Sequence, residues 1–194
     1  MVSDLADIPR KQAKTINLGL FYGMGKGKLM SQLGVDQETA EDLLAGYHER
    51  VPFVKKLMMD TMRKASEKGF LSTIEGRRCR FAQWEPANEW GKKALSLAEA
   101  QREYGEHQIK RAWTYKALNR LIQGSAADQT KKAMLELYKE GYLAHIQVHD
   151  ELDFSVASDK DKSRIKDIME QAVKLQVPNK VDVECGLNWG DAGD

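Results

Sequence analysis

The chain has 194 residues, 42% of them hydrophobic and 30% charged, with a net charge of +1 at pH 7. That length is enough for one large domain or two small lobes with a core, and the hydrophobic share excludes an intrinsically disordered chain. Two distant cysteines, Cys79 and Cys185, exclude a disulfide framework and fit a reducing compartment, and no apolar run reads as a membrane span or signal peptide.

A net charge near zero implies no nucleic acid, but the distribution says more. From Gln108 to Met134 there are six basic residues against one acid, Asp128. Arg10 to Lys28 carries five basic residues and no acid. Local basic surface is the footprint of polyanion binding. Solvated helix faces would read the same way.

Asp7 can cap a helix with Pro9 in its first turn, and that helix is predicted to run from about Pro9 to Tyr22. Arg10, Lys14, Leu18 and Tyr22 recur every four residues and share one slowly drifting stripe. Ala13, Ile16 and Leu20 form a more apolar stripe. Two cations followed by an aromatic suit a nucleotide, with phosphates at the cations and a base on the ring. A surface helix with two unpaired cations is the plainer alternative.

Gly23, Gly25 and Gly27 break the helix. Their spacing is wrong for a phosphate-binding P-loop and no strand precedes them. Asp36 is expected to cap a helix carrying Ala40, Leu43, Leu44 and Tyr47. Pro52 starts another, with Val54, Leu57, Met58, Met62 and Ala65 on one side and Gly69 at its end. Phe70 to Phe81 reads as a hairpin turning at Glu75-Gly76. Arg77, Arg78 and Arg80 follow the turn, where they can grip phosphates or keep an edge soluble. Residues 83–107 read as an irregular insertion ending in a polar helix. The longest helix is expected from about Gln108 to Glu140. Asn119 and Gln123 share a face on it, and small residues from Gly124 to Ala127 allow close approach.

Ala144 to Val156 alternates apolar and polar residues on both sides of His149-Asp150-Glu151, the pattern of a hairpin with two acids and an imidazole at its turn. A solvated turn and a metal-holding carboxylate are both open readings. Ser158 caps a helix with Ile165, Ile168, Met169, Ala172 and Val173 as its buried stripe. Val181 and Val183 alternate with Asp182 and Glu184 in an expected last strand.

Taken in order, these pieces resemble the C-terminal half of a family A DNA polymerase, the DNA polymerase I class, and phage-encoded members most of all. Arg10, Lys14, Tyr22 and Gly23 match the nucleotide-binding fingers helix. Gly76-Arg77-Arg78 matches the basic hairpin, and Asn119 through Asp128 is similar to the helix before the catalytic palm hairpin Gln147 to Glu151. The resemblance implies an α+β architecture: a helical fingers lobe followed by an antiparallel palm sheet backed by helices. The implied divisions are 1–82 for the fingers helices and basic hairpin, 83–107 for the insertion, and 108–194 for the C-terminal part of the palm.

The implied function is DNA-directed deoxynucleotidyl transfer in replication, on primer-template DNA and deoxynucleoside triphosphates, in the cytoplasm. Arg10 and Lys14 would hold the triphosphate, and Tyr22 would sit at the nascent base pair. Leu18 stands where the family commonly has Phe or Tyr, a position linked to sugar choice. Asp150 would bind magnesium, one of two aspartates serving a two-ion site, with His149 and Glu151 flanking the primer terminus. Asn119, Gln123 and Gln147 would reach the minor groove, and Arg77 and Arg78 the backbone. The family's other aspartate and its thumb lie upstream of the fingers, so the expectation is a half-site, inactive alone and served by a complementary polymerase fragment. A catalytically incomplete module that binds nucleic acid or a partner protein is the competing expectation.

Overall fold

The computed structural model describes residues 10–89 and 91–192, with side chains from residue 13 onward. The chain divides into two compact units. The first runs to Ser72 and resumes over Gly76–Leu121; the second comprises Thr73–Glu75 and Ile122–Asp194. The architecture is α+β, with three separate two-stranded antiparallel sheets among the described residues. No described helix is long and apolar enough to cross a membrane.

The described residues of the first unit begin with four helices: α1 (Arg10–Phe21), α2 (Lys26–Leu33), α3 (Gln37–Arg50) and α4 (Pro52–Lys68). On α1 the apolar stripe Ala13, Ile16 and Leu20 is buried, and it packs with Leu29, Ala40, Tyr47 and Val54. Burying a side chain of this size contributes about 1.5–3 kcal/mol. Asp36 caps α3, its carboxylate accepting the Thr39 N–H at 2.8 Å. That bond holds the Asp36 carboxyl below the usual carboxylate range. Pro52 fills the first turn of α4, and Gly69 ends it in the left-handed region at φ 73°. The expected cap at Asp7 and the Pro9 start lie outside the described residues.

Strands β1 (Phe70–Ser72) and β2 (Arg78–Arg80) form the expected hairpin, with Leu71 opposite Cys79. Ala65, Leu71, Phe81 and Ala117 make a second core cluster. The next segment differs from the expectation. Residues 109–111 are not helical; Ile109–Arg111 is a strand, β4, paired antiparallel with β3 (Trp84–Pro86). Between them lies α5 (Leu97–Tyr104), closed at its start by a Ser96/Glu99 capping box. The physical reason is a partner some 25 residues back that no local pattern reveals, plus Trp113 at φ 58°, a conformation no helix accepts. A 3₁₀ turn at Thr114–Lys116 then leads into α6 (Ala117–Lys139), shorter than expected at its start.

In the second unit α6 continues to Lys139, followed by β5 (Ile146–Val148), β6 (Glu151–Asp153) and α7 (Asp159–Gln171). Residues 73–75 rest on α6: the Ile74 N–H donates to Ser125 Oγ at 3.2 Å, and Lys132 meets Glu75 at 2.9 Å. Ser158 caps α7 by accepting the Asp161 N–H. Leu137, Ile165 and Ile168 form the core, joined by Tyr142, Leu152, Phe154 and Met169. The β5–β6 register pairs Ile146 with Asp153, Gln147 with Leu152 and Val148 with Glu151. Cross-strand partners share a face, so Ile146 and Val148 lie on the face away from Leu152 and are exposed. The expected last strand at Val181–Glu184 is absent: residues 175–186 form no ladder. Its alternation survives, but a strand needs a neighbour to pair with, and each described strand is paired only with its partner in a two-stranded sheet.

Candidate functional site

The first unit carries one group of site candidates on α1. Burial of Ala13, Ile16 and Leu20 turns Lys14 and Leu18 to solvent, and Leu18 is 56% exposed. Arg10 is the first residue of the helix; its side chain lies outside the described residues. Tyr22 follows the helix end, with its N–H on the Leu18 carbonyl and its ring edge-on to Phe21 at 5.4 Å. Gly23 turns the chain at φ 82°, where a Cβ would meet Met58 Sδ at 2.8 Å. Glycine adopts that φ without strain, and a larger residue would also have to displace the Met58 thioether. Of the predicted stripe of Arg10, Lys14, Leu18 and Tyr22, the structure exposes Lys14 and Leu18 and leaves Tyr22 half-buried.

The β1–β2 hairpin carries the second group. Arg77 and Arg78 are exposed, and Arg78 lies over the Phe70 ring at 4.7 Å. Sequence reasoning counted Arg120 only as local charge, yet it holds this hairpin. Its guanidinium donates to the Arg80 carbonyl at 3.5 Å and covers the Phe81 ring at 5.2 Å, while its own carbonyl faces Cys79 Sγ. Planar cations suit such stacking roles. An arginine beside the candidate Asn119 was the available signal. Asn119 is exposed on the part of α6 belonging to this unit.

The second unit carries Gln123 on α6 and the β5–β6 hairpin, and all of Gln147, His149, Asp150 and Glu151 are exposed. The ladder closes at Val148–Glu151, so the turn consists of His149 and Asp150 alone. His149 has φ 53°, a left-handed conformation costing a non-glycine residue about 1–2 kcal/mol. Gln147 Nε2 donates to the His149 carbonyl at 2.6 Å. The hairpin thus brings Gln147, His149, Asp150 and Glu151 together at one solvent-facing tip.

Among the described residues no three His, Cys, Asp or Glu side chains cluster as a metal site. Asp150 in the turn and Glu151 at the start of β6 are adjacent, exposed carboxylates. Hard oxygen donors of this kind suit magnesium, which takes one or two carboxylates and fills its remaining positions with water and phosphate. The donor set fits part of a magnesium site.

Residues 2–191 match the model of DNA polymerase family A. The chain belongs to that family. A DNA-directed DNA polymerase of Pseudomonas phage M6 is 35% identical over 224 residues, covering 98% of this chain and 30% of that protein. The thermostable DNA polymerase I of Thermus filiformis is 33% identical, covering 94% of this chain and 21% of its own length. The POL domain of M. smegmatis Pol1, in complex with DNA primer-template and dNTP, superposes with a TM-score of 0.75 at 28% identity. That superposition covers 100% of this chain and 34% of the other. This family A chain therefore spans between a fifth and about a third of these relatives.

Proposed function

We propose that the chain supplies the fingers and the C-terminal part of the palm of a DNA-directed DNA polymerase. Residues 1–82 form the fingers helices and basic hairpin, 83–107 the insertion and 108–194 the palm portion. What carries the reading is the family match over residues 2–191, with Asp150 standing exposed on a two-residue turn.

Arg10 and Lys14 bind the triphosphate of an incoming deoxynucleotide as paired cations. Leu18, one turn on, faces the sugar, and Tyr22 offers its ring to the nascent base pair. Arg77 and Arg78 neutralise backbone phosphates, which orient the primer-template without reading its sequence. Asn119, Gln123 and Gln147 offer amides to base and sugar edges in the minor groove. His149 and Glu151 flank the primer terminus, and Asp150, with Glu151 beside it, holds magnesium. A magnesium ion held there would supply positive charge for activation of the primer hydroxyl and departure of pyrophosphate. The remainder of the site comes from further polymerase sequence, in the same polypeptide or as a complementary fragment, working in the host cytoplasm for a phage-encoded enzyme.

The test is a chimera. Replacing the matching part of the phage M6 polymerase with this chain should give a protein that extends a primer in magnesium. A folded chimera that binds primer-template and extends nothing would make the chain a nucleic-acid-binding module.

A further inference from the structure

The His149-Asp150 turn is built against its own backbone preference. A two-residue hairpin turn requires φ above zero at its first central position, which is why glycine, asparagine and aspartate dominate there. Here that position is His149, at φ 53°. A side chain that prefers φ below zero needs something else to hold it, and one hydrogen bond is placed to do so. Gln147 Nε2 reaches along its own strand to the His149 carbonyl at 2.6 Å. The bond closes a ring around the bend and fixes the peptide linking His149 to Asp150. All four tip residues, Gln147 and His149 to Glu151, are exposed, so no core packing holds the turn from outside.

We propose that Gln147 is a positioning residue: its amide latches the left-handed His149 turn and thereby sets the direction in which Asp150 points. This is a different role from the minor-groove contact, because the amide N–H acts on the chain's own backbone. It rests on the polymerase reading only in making Asp150 the group worth aiming; the latch itself is a property of the hairpin.

The latch is testable in the 194-residue chain by NMR, without any assay of polymerisation. Gln147→Met keeps the length and shape of the side chain and removes the donor. It should speed amide exchange at Val148 and Glu151 about five- to tenfold, the loss of roughly one hydrogen bond. It should also weaken the strong intraresidue HN–Hα NOE of His149 that marks φ above zero. Amides of α7 should be unaffected. His149→Gly supplies the decisive arm, because glycine adopts positive φ without a steric penalty. In the Gln147→Met background it should restore slow exchange at Val148 and Glu151, which a general loss of packing would not permit. Unchanged exchange and an unchanged His149 NOE in Gln147→Met would overturn the latch, as would failure of His149→Gly to rescue. Failure of the polymerase reading would leave all of these readouts intact.

Discussion

The Arg111 guanidinium lies over the Trp84 ring at 4.6 Å, across the β3–β4 pair in which the two residues stand directly opposite. The same group donates to the Ser66 carbonyl at 3.0 Å and to the Phe81 carbonyl at 2.9 Å. Gly69 completes the fit, since a Cβ there would meet the guanidinium carbon at 2.6 Å. One side chain thus ties the end of α4 to the segment after the basic hairpin and to the β3–β4 pair.

Arg111→Ala should therefore destabilise the first unit by on the order of 2 kcal/mol, because two carbonyls and an aromatic face lose their partner together. Arg111→Lys should recover only part of this, since a point charge cannot serve the fork and the ring at once. Urea unfolding of the chain, followed by tryptophan fluorescence, measures both. Equal stability of wild type and Arg111→Ala would refute the clamp.

Asp36 makes a prediction about pH. Its carboxylate accepts the Thr39 N–H, and that bond holds its pKa below the usual aspartate range. A depressed folded pKa means that the cap's contribution is fully present above the unfolded value and is lost as pH falls through the folded one. The chemical shift of the Thr39 amide proton should therefore report a transition at a pH below that of an ordinary aspartate. Asp36→Asn should abolish that titration while keeping α3 capped.

The α1 stripe makes a prediction about nucleotide use in the M6 chimera. Lys14→Ala should raise the KM for deoxynucleotides roughly ten- to a hundredfold, the loss of a hydrogen bond to a charged group. Affinity for primer-template should change far less. Leu18→Tyr should improve acceptance of dideoxynucleotides by placing a hydroxyl where the proposed binding mode puts the sugar. Steady-state kinetics with matched deoxy and dideoxy substrates decides it; identical preference in Leu18→Tyr would mean that this face does not meet the sugar.

What could be read from the residues alone was local chemistry. The caps at Asp36 and Ser158, the stop at Gly69 and the stripe of Ala13, Ile16 and Leu20 all stand in the structure as their spacing predicts. Each depends on neighbours within one or two turns of chain. The failures depended on distant partners. Ile109–Arg111 reads as helix until Trp84–Pro86 pairs with it, and Val181 to Glu184 reads as strand although no ladder forms there. The site divides the same way. Arg10, Lys14, Leu18 and Tyr22 are visible as a four-residue period and His149-Asp150-Glu151 as a break between alternating strands, although the ladder takes in Glu151 and leaves only His149 and Asp150 in the turn. The Arg120 support of the basic hairpin reaches back some 40 residues to Arg80, which no local pattern encodes.

The central claim is that Asp150 holds catalytic magnesium at the tip of the β5–β6 hairpin. Primer extension by the M6 chimera carrying Asp150→Asn measures it most directly, with primer-template affinity determined alongside. An amide is a poor ligand for a hard cation, whereas DNA affinity rests on basic side chains. Turnover should fall roughly a thousandfold or more, because several kcal/mol of transition-state stabilisation go with the metal, and affinity should stay within about twofold. Near-normal extension by Asp150→Asn would contradict the assignment.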